Sequence, residues 1–218
     1  EIRGLGNADV DVNLTDTITA GDDLTLVAGS VTREGSQNVD LIAEGMTIQV
    51  TKNFGTSNDP IRVSVGAKGF STTANSTGDI YLAAKKRDLG IGSIISDGTV
   101  EISADRAVKA LGSDTNIKAA ALQIVKSSAV GTKDQNLKTN ISGNMEISST
   151  GDIYVTQQGI ANVKNITSSK NSGTVSLTAG SMTDTADASK AAVTAANIIL
   201  HATTGDIGTT QRLMKLEL

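Results

Sequence analysis

The phrase Ser76-Thr77-Gly78-Asp79-Ile80-Tyr81 recurs letter for letter as Ser149-Thr150-Gly151-Asp152-Ile153-Tyr154. Thr204-Gly205-Asp206-Ile207 is a shorter third copy, and Gly21-Asp22-Asp23-Leu24 a degenerate fourth. The gaps from Leu24 to Ile80, Ile80 to Ile153 and Ile153 to Ile207 divide into about three, four and three units of roughly 18 residues, the sequence signature of a coil that stacks on itself. A turn and a strand of that length cannot bury an apolar face alone, so neighbouring units must share one core.

Strands are written in as alternation with period two. Leu24-Leu26-Ala28, Ile61-Val63-Val65, Ile80-Leu82-Ala84, Val100-Ile102-Ala104, Ile117-Ala119-Ala121 and Val175-Leu177-Ala179 are examples, with Gly, Asn, Asp, Ser and Thr between them. The starts at Ile61, Ile80, Val100 and Ile117 are evenly stepped and agree with the unit inferred from the phrase. Composition agrees too: aromatic residues are 2% of the chain and Trp is absent, so the core must be a narrow one of Val, Ile, Leu and Ala. An Ig-like sandwich also has short strands, but it leans on a buried aromatic, commonly Trp. The expected fold is therefore all-β, a parallel β-helix with coils of about 18–20 residues. Residues 1–218 read as a single stretch of it. The chain opens at Glu1 with no initiator Met and no visible signal peptide, which reads as a segment of something longer.

Two stretches break the rhythm. Residues 181–196 are rich in Ala and poor in strand formers, and Asp187 is placed to cap a short helix there. Residues 125–140 are polar, with Lys126, Lys133, Asp134 and Lys138. Both read as insertions bulging from a regular scaffold, where contacts with partners concentrate.

Asn197-Ile198-Ile199-Leu200-His201-Ala202-Thr203-Thr204-Gly205-Asp206-Ile207-Gly208 and Asn144-Met145-Glu146-Ile147-Ser148-Ser149-Thr150-Gly151-Asp152-Ile153 resemble the repeats of filamentous haemagglutinin-type adhesins, a group that includes leukotoxin-like filamentous exoproteins of Gram-negative bacteria. The shared elements are an apolar-x-apolar-x-Ala strand, a Thr-Gly-Asp turn and an Ile opening the next face. The resemblance implies a right-handed β-helix in a long rod, exported through an outer-membrane partner pore. The export domain of such proteins carries Asn-Pro-Asn-Gly-type motifs. Here Pro60 stands alone between Asp59 and Ile61, so the likeness is to shaft or distal repeats.

Catalytic and metal readings are weak by comparison. Asp79, Asp152 and Asp206 occupy the same place in the phrase, but copies three or four coils apart lie about 14–19 Å from one another at roughly 4.8 Å per rung, too far for a glycosidase pair. They read as turn carboxylates accepting backbone N–H groups. His201, the one histidine, should face outward between Leu200 and Ala202. No catalytic residue, cofactor or metal ligand is expected. The densest basic run, Lys85-Lys86-Arg87, is the candidate ligand contact, suited to an anionic glycan. A net charge of −4 gives no pull toward nucleic acid, and no apolar run reaches the 18 or so residues needed to span a bilayer.

The functional expectation is a non-enzymatic piece of a secreted or surface-exposed bacterial adhesin. It would be a shaft that meets a host-cell receptor or glycan through loops at 84–92, 125–140 and 181–196. A β-helix polysaccharide lyase or glycoside hydrolase is the alternative, and part of a cytolytic leukotoxin-like exoprotein is the third reading.

Overall fold

The computed structural model describes residues 2–3, 10–74 and 78–218. Ser76 and Thr77, which open the first copy of the repeated phrase, lie outside them. The architecture is a parallel β-solenoid of about nine turns, with no helix among the described residues. Strand register sets the coil length directly. Twenty-two residues separate Leu26 from Ile48, Ile117 from Thr139, and Val155 from Leu177. Twenty-three separate Leu122 from Met145. The shortest such steps, of 18 residues, include Met145 to Val163 and Leu137 to Val155, and the longest, of 27, runs from Ile166 to Val193. The expected coil length is thus corrected upward, to about twenty-two. The strand starts used to count it do not share a column: Ile80 stacks on Val100, whereas Ile117 stacks on Ile94 and Thr139.

Stacked columns of side chains make the core, among them three that run through five or more coils. One runs Val31, Phe54, Ile80, Val100, Leu122, Met145, Val163. A second runs Leu89, Val108, Val130, Ile153, Val175. A third runs Ile48, Thr72, Ile94, Ile117, Thr139, Gln157. Every residue in them is buried, and each aliphatic member contributes on the order of 1.5–3 kcal/mol of transfer free energy. Small residues close the strands: Ala28, Ala84, Ala104, Ala119 and Ala179 are all buried. Phe54 and Phe70 are fully enclosed and pack together, ring centroids 6.1 Å apart.

The third column turns polar, and its polar members differ in how they are satisfied. Gln157 accepts from Thr139 Oγ1 at 2.7 Å and from the Ile141 amide at 3.1 Å, and donates to the Ile141 carbonyl at 2.8 Å. Thr72 Oγ1 is buried without a partner among the described residues. A buried hydroxyl lacking its hydrogen bond costs about 1–3 kcal/mol, whereas an apolar group of the same shape costs nothing comparable. Thr72→Val should therefore raise the urea unfolding midpoint, by roughly 1 kcal/mol of stability. A lower midpoint would show that the hydroxyl is satisfied in solution.

The two expected insertions fare differently. Residues 181–196 form no helix, and the extra length of their coil leaves the scaffold only as a short turn. Ser181–Asp184 and Val193–Thr194 are strands paired to Ile160–Thr167, and Ala186, Ala192, Val193 and Ala195 are buried. Only 187–190 are exposed, as a turn closed by Lys190 N–H on the Asp187 carbonyl at 2.8 Å. The alanines that suggested a helix are instead small enough for the narrow interior. Within 125–140, Val130 and Leu137 are core residues, and 132–135 form the exposed loop.

Candidate functional site

Each letter of the repeated phrase has a physical task, read best where two coils flank it. A Cβ on Gly78 or Gly151 would collide with the Lys52 or Ser128 carbonyl in the coil before, so only glycine allows the coils to approach. Asp79 Oδ1 accepts the Thr99 amide at 2.7 Å, and Asp152 Oδ1 accepts the Thr174 amide at 2.8 Å. Ser96 Oγ and Ser168 Oγ, in the following coil, donate to the Gly78 and Gly151 carbonyls, each at 2.6 Å. Ile80 and Ile153 point inward, while Tyr81 and Tyr154 sit between buried neighbours on the outer side. The expected turn role for these carboxylates holds, except that they bridge to the next coil rather than close their own turn. Asp11, Asp40, Asp88 and Asn116 make the same reach, to the amides of Ser30, Arg62, Ala107 and Lys138.

The copies do not occupy one column. Ile80 lies on Phe54 and under Val100; Ile153 lies on Val130 and under Val175; Ile207 pairs with Met182. The step from Ile80 to Ile153 amounts to about three and a third coils, so the motif returns on another face. Its neighbours return with it. The coil before each full copy carries an apolar residue, a left-handed glycine and a threonine: Phe54-Gly55-Thr56 and Val130-Gly131-Thr132, with glycine φ of 76° and 63°. The coil after carries Gly98-Thr99-Val100 or Gly173-Thr174-Val175. In both Gly-Thr loops the threonine hydroxyl accepts an amide three residues on, at 3.0 Å (Thr56 from Asp59, Thr132 from Gln135). Ile207-Gly208-Thr209 opens a third such loop, closed by Arg212 on Thr209. Sequence reading passed over this signal, although the three Gly-Thr pairs, at Gly55, Gly131 and Gly208, are almost equally spaced.

Lys85-Lys86-Arg87 lies at a corner and is split by it. Lys85 reaches Asp105 at 3.4 Å and, with Lys86 and Arg62, borders a shallow depression of about 460 Å³. Lys86 has φ 69°, the one positive φ at a non-glycine residue among those described, a conformation that costs of order 1–3 kcal/mol unless its surroundings hold it. Arg87 turns to the other flank and pairs with Glu44 at 2.9 Å, whose carboxyl it holds below the ordinary range. That flank is a ladder of ion pairs between coils: Lys68 with Asp22 at 2.5 Å and Asp23 at 3.0 Å, and Asp88 with Lys109 at 2.6 Å. The structure therefore keeps Lys85 and Lys86 together and removes Arg87 from them.

A larger groove runs beside the 131–136 loop. About 600 Å³ in volume, it is bordered by Lys133 and Asn136 on the loop, Tyr154, Thr174 and Ser176 on the next two strands, and Asn197 and Ile199 beyond. Tyr154, Ser176 and Ile199 are consecutive rungs of one outward row. His201 ends the neighbouring row after Thr156 and Thr178, exposed as expected. Among the described residues no three His, Cys, Asp or Glu side chains come together as a metal site. Comparison with family models, curated proteins and solved structures finds no match to the chain.

Proposed function

We propose that this chain is a length of shaft from a secreted or surface-displayed bacterial fibre of the filamentous haemagglutinin type. In this reading it is non-enzymatic, carried out of the cell by an outer-membrane partner, and touches host-cell receptors or glycans through its loops. The observation that carries the reading is what the recurring polar residues do. The carboxylates of both full copies of the phrase are engaged with backbone amides of the following coil, so they tie the stack together instead of facing a substrate. Lys85 and Lys86, with Arg62, supply positive charge at an open depression, a setting that draws anionic glycans.

The test has two arms. Beads coated with the protein should adhere to epithelial cells, and adhesion should fall when surface glycans are stripped enzymatically. The same protein, incubated with a panel of polysaccharides, should release no new reducing ends. Chain cleavage that vanishes in an Asp→Asn variant would move the protein to the lyase and hydrolase class instead.

A further inference from the structure

The repeated three-coil unit offers an internal control, because the same scaffold carries two differently dressed tyrosines. In the first unit Tyr81 Oη donates to Asp79 Oδ2 at 3.3 Å, and burial beside Asp79 and Glu101 pushes its ionisation up. In the second unit Tyr154 has the same backbone setting, its amide on the Val130 carbonyl as that of Tyr81 is on Phe54. Its hydroxyl, however, has no hydrogen-bond partner among the described residues. The same holds for Lys133 Nζ, Ser176 Oγ and the Asn197 side-chain amide, all of which border the one groove. Ile199, 55% exposed, lies in the row with Tyr154 and supplies apolar surface beside them.

We propose that this groove binds a linear acidic polysaccharide of low charge density, one carrying at most a single carboxylate on each sugar and hydroxyls elsewhere. The inference rests on the glycan-contact reading above and adds a second place for such a contact, apart from Lys85 and Lys86, together with a ligand class. Lys133 carries the one side-chain charge among the residues that border the groove, Leu218 included, and a single ammonium among neutral donors and acceptors matches one carboxylate per sugar or two. It does not match a densely sulfated chain, which would call for a cluster of cations. Asn136 is braced for the task, its Nδ2 donating to Thr156 Oγ1 at 3.0 Å, so the loop presents Lys133 from a fixed base. Tyr154 and Ile199 offer the apolar surface on which the C–H face of a pyranose ring can rest, with the phenol hydroxyl free to bond at its edge. A volume of about 600 Å³ lies within the range of ordinary ligand sites.

The test titrates the protein with hexagalacturonate, dextran sulfate and maltohexaose, read by calorimetry. Hexagalacturonate should bind and maltohexaose should not. Lys133→Ala should weaken binding about tenfold or more, as loss of a charge-assisted contact does. Tyr154→Phe should weaken it less, and neither should move the unfolding midpoint. Lys85→Ala/Lys86→Ala tests the first depression in parallel, and Lys118→Ala, exposed and outside both depressions, should leave binding unchanged. Hexagalacturonate binding that survives Lys133→Ala and Tyr154→Phe overturns the groove. If that binding is instead lost in the Lys85/Lys86 variant, the glycan-contact reading stands at the other depression. Preference for dextran sulfate overturns the ligand class, and failure of every glycan to bind overturns both the groove and the glycan contact.

Discussion

Ile102→Asp should open the stack in its middle. Ile102 is fully buried and sits in register between Leu82 and Ile124, so the new carboxylate would lie in an apolar column with no partner. Burying an unpaired polar or charged group costs several kcal/mol, set against a total domain stability of about 5–15 kcal/mol. In a solenoid the loss is local first, because each coil touches only its neighbours. Hydrogen exchange should therefore lose protection in strands Ile80–Ala84, Thr99–Ala104 and Ala121–Lys126 before it does so elsewhere. Val175→Asp, between Ile153 and Ile198, should do the same further along, while His201→Ala should be silent. The deficit has a sign in pH as well. Burial raises the pKa of the new carboxyl above its unfolded value near 3.9, so destabilisation is full at neutral pH and narrows as pH falls. Native exchange in Ile102→Asp would mean that the inward face has been assigned wrongly.

What the sequence made legible is what depends on local alternation. A strand such as Val100-Glu101-Ile102-Ser103-Ala104 shows its inward face by itself, because side chains alternate whatever the neighbours are. Coil length was harder, since it requires knowing which strand lies on which. The repeated phrase was counted in whole coils, yet the step from Ile80 to Ile153 brings it to another face. The alanines of 181–196 misled for a related reason: low strand propensity signals a helix only where packing does not decide, and here a narrow interior decides. Lys85, Lys86 and Arg87 are adjacent in sequence but turn around a corner, so adjacency did not make a patch. Lys133, Tyr154, Ser176 and Asn197 meet only through register, each about one coil from the next, and no local pattern joins them.

Asp40→Ala should be among the most damaging polar substitutions in the chain. Asp40 is fully buried, and both its oxygens face Arg33 Nε, at 3.1 and 3.0 Å; Oδ2 also accepts the Arg62 amide at 2.7 Å. The Arg33 side chain is 3% exposed and donates onward to the Gly35 carbonyl at 2.8 Å. Arg62 in turn donates to the Gln37 carbonyl at 2.6 Å. One carboxylate thus closes the 34–40 loop and ties it to the next coil. Removing it leaves a buried guanidinium with only the exposed Asp59 carboxylate, 3.5 Å from Arg33 Nη1, as counter-charge, a loss of up to about 3–5 kcal/mol. The pair need not be stabilising compared with having no charges at all, because both ions were desolvated to form it. Arg33→Met/Asp40→Asn removes both charges and keeps an acceptor for the Arg62 amide, so it should recover much of what Asp40→Ala loses. Salt distinguishes this pair from the surface ladder: 1 M NaCl should weaken Lys68 with Asp22, which are exposed, and leave the Asp40 effect in place. A double variant no more stable than Asp40→Ala would show that the cost lies in the loop's hydrogen bonds, not in the orphaned charge.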